Sequence, residues 1–128
     1  MFATFHRDDF PLIEIRFTGE KETDENFQAY LRGLEENYER KERVSLIFDA
    51  SKALPLNPTY QLKQAKWMKQ HEGLIQQYCV GVAYVIPGTL LRNTLKLIFK
   101  LQSSPTTFKV FSKHSDARAW ARGLLVSA

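Results

Sequence analysis

The chain has 128 residues, 44% of them apolar and 25% charged, ordinary globular proportions that exclude an intrinsically disordered polymer. Its one cysteine, Cys79, excludes an intrachain disulfide and any multi-cysteine metal centre, and no stretch approaches the roughly 18 uninterrupted apolar residues of a membrane span. The net charge of +4 is unevenly drawn, since residues 1–50 carry 7 basic and 12 acidic side chains and residues 51–128 carry 11 and 2. Interleaving of the two halves in one fold would neutralise much of this. Left apart, an acidic side and a basic side would suit an acidic partner, self-association or an anionic surface. The opening "MFATFHRDDF" has neither a basic n-region nor a long apolar h-region, so no signal peptide and a soluble cytoplasmic protein are expected.

The elements follow in chain order. "FATF" and "PLIEIRFTG" alternate as two short strands joined through "HRDDF", a hairpin, with Ile13, Ile15 and Phe17 forming one apolar face opposite Leu12, Glu14 and Arg16. Thr23 is a suitable N-cap, and Asp24 and Glu25 place negative charge in the first turn of a helix. Phe27, Tyr30, Leu31, Leu34 and Tyr38 then mark its buried stripe. "RVSLIFDA" reads as a buried strand, and Asn57 with Pro58 starts a second helix running through Leu62, Ala65 and Met68 toward Gly73. "YCVGVAYVIP", dense in β-branched residues and stopped by Pro87, is a strand in which Cys79 is a small buried residue. "TLLRNTLKLIFKLQSSP" is a third helix and "TFKVF" a short strand. "SDARAWARGLL" is a closing helix with Ser115 as its cap, Asp116 in its first turn, and Ala117, Trp120, Ala121 and Leu124 facing inward.

The order β-β-α-β-α-β-α-β-α predicts one α/β domain over residues 1–128. It would be an about five-stranded mixed sheet with an antiparallel contribution from the hairpin and four helices. The "FTGE" turn, "LIFDAS", "VGVAYVIPGTLLRNTL" and "FSKHSDARAWARGLL" together resemble the SpoIIAA-like domains of the STAS superfamily, in particular the bacterial branch akin to CRAL-TRIO lipid-binding domains. That resemblance spans nearly the whole chain and implies a protein-interaction or switching module without catalytic machinery. In anti-sigma factor antagonists of this type, a serine in an Asp-Ser-Ser-Gly context at the start of the second helix is a kinase target. Here that place reads "PLNPTY", without the serine or the glycine, and Thr59, or Ser51 nearby, is left as the hydroxyl a phosphorylation switch would use.

The remaining candidates are binding residues. Asp49, at the carboxyl end of a buried strand, either fixes the exit turn or faces a ligand crevice. Asn57 and the free amides behind it either cap the helix or hold an anion. On the third helix, Leu90, Leu91, Thr94, Leu95, Leu97, Ile98, Phe99 and Leu101 cover an arc of roughly 200°, wider than one sheet face requires, beside a basic stripe of Arg92, Lys96 and Lys100. The surplus, assigned to Leu91, Leu95 and Phe99, is expected to meet neighbouring helices, a homodimer or other protein partner, or a lipid or membrane surface. His6, His71 and His114 have no partner at catalytic or ligand spacing and read as surface histidines. Nothing nominates a catalytic residue, a cofactor or a metal. A nucleic-acid partner is not favoured, because no known module fits this element order.

Overall fold

The computed structural model describes residues 1–126. Five strands form one sheet in the order β1 (Ala3–His6), β2 (Leu12–Phe17), β3 (Val44–Asp49), β4 (Cys79–Val85) and β5 (Phe108–Phe111). β1 runs antiparallel to β2, with Thr4 opposite Arg16 and His6 opposite Glu14, and all other pairs are parallel. The expected mixed sheet with an antiparallel hairpin edge is therefore what forms.

Each parallel crossover carries helix: α1 (Asp24–Glu36), then α2 (Pro58–Gln70) with α3 (Glu72–Tyr78), then α4 (Thr89–Leu101). Because strand order advances one place in the same direction at every crossover, right-handed connections put all of these helices on one face. Among the described residues only α5 (His114–Val126), which follows β5, lies on the other, against β2 to β5. This asymmetry produces two unequal cores. The thick one buries Phe27, Tyr30 and Leu34 of α1, Trp67 and Met68 of α2, Ile75 of α3 and Ile98 of α4 on Ile13, Ile15, Leu46 and Phe48. The thin one sets Ala117 and Ala121 on Leu12, Ile47, Ala83 and Val85. Alanines let α5 approach closely enough for the buried Ser45 hydroxyl to donate to the Ala121 carbonyl at 2.8 Å.

Three details correct the reading from sequence. Among the described residues there are five helices and not four. The second helix ends at Gln70, where His71 leaves helical geometry (φ −109°, ψ 15°), and a short α3 then turns Ile75 into the core. The His71 ring stacks on Trp67 at 4.3 Å and its Nδ1 lies 2.8 Å from the Trp67 carbonyl oxygen, which fixes that break. Ser115 is not a cap, since α5 already begins at His114. Leu62 is 44% exposed, and Gln61 takes the inward place, its amide donating to the Leu56 carbonyl at 2.8 Å. The other helix starts stand as expected: Thr23 Oγ1 accepts from Asn26 N at 3.1 Å while Asn26 Oδ1 accepts from Thr23 N at 2.7 Å. No helix among the described residues is long and apolar enough to cross a membrane.

Candidate functional site

The segment after β3 divides two sites. Ala53, Leu54 and Leu56 turn into an apolar cavity on the thick side, and Asp49, Ser51 and Lys52 turn into a polar crevice on the other.

The cavity has a volume of about 120 Å³ and lies between the sheet residues Phe17, Phe48 and Tyr84, helices α1 and α2, and a roof made by α4. From the roof, Leu91, Thr94, Leu95, Ile98 and Phe99 point inward, and Gln64 of α2 and Thr94 are polar groups on a wall otherwise apolar. Burial pushes the Tyr30 and Tyr84 phenols far above their ordinary range, so both stay neutral. The wide apolar arc of α4 thus has two destinations, an inner one against α1, α2 and the sheet, among those expected, and an outer one carried by other leucines. Leu91, Leu95 and Phe99 line the interior, and the surplus is Leu90, Leu97 and Leu101, exposed by 63%, 48% and 53% on the outer side. The inward set is fixed because Ile98, the most buried residue of α4, determines the rotation of the helix. Lys96 and Lys100 are exposed and have no ion-pair partner among the described residues. Arg92 is not part of a free basic stripe. Its Nε donates to the Ile86 carbonyl at 3.1 Å and its terminal nitrogen to Ser112 Oγ at 2.9 Å, tying α4 to the ends of β4 and β5.

The crevice exists because one helix cannot cover five strands. Beyond the reach of α5, the sheet face over β1 and the carboxyl ends of β2 and β3 is lined by Thr4, His6, Arg16, Asp49, Ser51 and His114, around an open volume of about 520 Å³. Glu14, bonded to two of these residues, is only 4% exposed. Glu14 Oε2 accepts from Arg16 at 2.9 Å, and Glu14 Oε1 is in hydrogen-bond contact with His114 Nε2. Burial pushes the Glu14 carboxyl up, but the bonds and charges of Arg16 and His114 outweigh it and hold the group below the ordinary carboxylate range. Asp49 Oδ1 accepts from the Ser51 amide at 2.9 Å and from its hydroxyl at 2.5 Å. Asp49 therefore does both things its position allowed: it holds the exit turn and it faces a crevice.

Asn57 and Thr59 line neither site. Asn57 is a helix cap whose Oδ1 accepts from Thr59 N at 2.9 Å, and Thr59 is exposed beside it. The histidines are not the free surface groups expected. His71 is packed on Trp67, His6 Nε2 lies 2.9 Å from Thr4 Oγ1, and His114 reaches Glu14 across 100 residues of sequence. Sequence reasoning missed Glu14, Arg16 and His114. In "LIEIRF" the alternation puts both charges on what reads as a solvent face, and only the buried Leu12 on that same face hints that part of it is covered. Comparison with curated proteins and with solved structures finds no match. The family model described as SpoIIAA-like matches residues 12–122, from the second strand to within the last helix, and the chain belongs to the SpoIIAA-like family.

Proposed function

We propose that this SpoIIAA-like domain is a non-catalytic binding module whose working element is α4, and that it holds a small apolar or lipid-like group in the cavity beneath that helix. The observation that carries this reading is the unfilled space under Leu91, Leu95 and Phe99. Protein interiors pack with few voids larger than a water molecule. A half-open cavity of about 120 Å³ walled by aromatic and leucine side chains is comparable in size to the roughly 150 Å³ apolar cavity that takes up benzene. Gln64 and Thr94 supply the few polar contacts that orient an otherwise apolar ligand.

The test is titration of the purified protein with small apolar probes such as benzene and indole, followed by calorimetry, together with native mass spectrometry of the protein as isolated. Saturable 1:1 uptake is expected, weakened at least tenfold by Thr94→Phe, which fills the space from the roof. Absence of saturable uptake by the parent protein overturns the reading. A second reading, contact with a partner or a second copy, rests on the outer leucines. Leu90, Leu97 and Leu101 form an exposed apolar stripe beside Lys96 and Lys100. Light scattering over a concentration series tests it: a mass that rises with concentration and is returned to that of the monomer by Leu97→Glu supports it, and a constant monomer mass removes the homodimer.

A further inference from the structure

We propose that Glu14, Asp49 and His114 form a binding site for one divalent cation of the zinc class, on the face of the sheet opposite the apolar cavity. Each residue offers one donor atom, and the three donor atoms lie within 4.8 Å of one another, so small side-chain rotations bring all three to the roughly 2.0–2.2 Å at which zinc binds carboxylate oxygen and imidazole nitrogen. They come from three elements fixed by different parts of the fold: β2, the end of β3 and the first residue of α5. Two carboxylates and one imidazole are hard-to-borderline donors that suit zinc or manganese over soft-ligand metals.

The surroundings are arranged as an outer shell. Arg16 bonds Glu14 Oε2 and leaves Oε1 on the His114 side, and Ser51 holds Asp49 Oδ1 through both amide and hydroxyl, leaving Oδ2 free. Arg16 itself is half exposed at the rim; its guanidinium bonds Glu14 Oε2 and its charge also acts on Asp49, so it offsets part of the negative charge from the side away from His114. Two carboxylates this close repel each other unless positive charge stands between them. Arg16 supplies part of that charge from the rim, and a divalent cation among the three donor atoms adds to it and bonds the imidazole at the same time. With three protein ligands and the open crevice on the fourth side, the bound ion would keep a position for water or a small anionic ligand.

The experiment is calorimetric titration of the chelator-stripped, untagged chain with Zn²⁺, with Co²⁺ absorption as a spectroscopic check of the coordination. One ion per chain is expected. His114→Ala and Asp49→Asn should each weaken binding at least tenfold and change the Co²⁺ spectrum, and Ser51→Ala should weaken it about tenfold by releasing Asp49. His71→Ala should leave it unchanged. Both ligand variants alter groups at the crevice rim, so circular dichroism should report an intact fold. Absence of saturable 1:1 binding overturns the proposal, as does retention of full affinity in either ligand variant or equal loss in His71→Ala. Uptake of an apolar probe is read separately and does not depend on this result.

Discussion

A buried carboxylate in a thin apolar core invites a direct question about what it contributes to stability, and Glu14 answers through two substitutions. Hydrogen bonds to a charged group contribute about 1.5–3 kcal/mol. The partners of Glu14, however, keep much of their contact with water, Arg16 at 49% and His114 at 39% side-chain exposure. Solvent takes over both when the carboxylate is lost, which discounts the contribution by about half. Glu14→Gln, nearly the same shape without the charge, should therefore cost about 1 kcal/mol, a fall of about 4 °C in midpoint. Glu14→Leu removes the same bonds but adds apolar burial beside Leu12 and Ile47, worth about 1.5–3 kcal/mol, and should lie within about 1 kcal/mol of the parent. Acid conditions supply a sign check. The folded carboxyl titrates below its ordinary value of 4.5, so its contribution is complete above that pH and is lost as the pH falls below 4.5 through the folded value. The gap between parent and Glu14→Gln should close in that window. Urea unfolding followed by the fluorescence of Trp67 and Trp120 measures all of this. A loss of more than about 3 kcal/mol in Glu14→Leu would refute the reasoning, because it would mean that Arg16 and His114 are left as uncompensated buried charge.

Other expectations follow from single contacts. A Cβ added at Gly33 of α1 would stand 2.3 Å from Phe5 Cε1 on β1, so Gly33→Ala should lose about 1–2 kcal/mol in urea unfolding despite its better helix propensity. Burial pushes the Cys79 thiol up to about 11, so its reaction with a disulfide reagent at neutral pH should be slow in the native protein and fast in denaturant. Arg92→Ala cuts the tie from α4 to Ile86 and Ser112, and hydrogen exchange should quicken across α4 while the amides of β3 and β4 stay protected.

The strands and the starts of α1, α2 and α4 were legible because local chemistry sets them. Thr23 and Asn57 announce their caps, and the alternation in "LIEIRF" and the β-branched run in "YCVGVAYVIP" announce strands. The break at His71 was not legible, because it depends on an aromatic ring and a carbonyl one turn earlier that helix propensity does not weigh. The arc of α4 was legible in width but not in rotation. Which leucines face in is decided by the position of Ile98 against the sheet, a tertiary fact. Asp49 was legible as a strand-end carboxylate near a crevice. Its companions were not, since Glu14 and His114 meet only after a hairpin, four crossover helices and three further strands have been placed.

The division of helices between the two faces also sets an order of events during synthesis. The face under α1, α2, α3 and α4 can assemble as soon as β4 and α4 have emerged, since each crossover folds back on strands already made. Leu12, Ile47, Ala83 and Val85 stay bare to water until residues 114–126 follow. The hairpin closes on α5 through the pairing of Asp9 with Arg118 and Arg122, the latter at 2.7 Å, contacts that span more than 100 residues. Such long-range closure is slow compared with local helix formation. For the interval it leaves open, the nascent chain carries an uncovered sheet face, and the ribosome-bound intermediate is the form of this protein most exposed to aggregation and to chaperones.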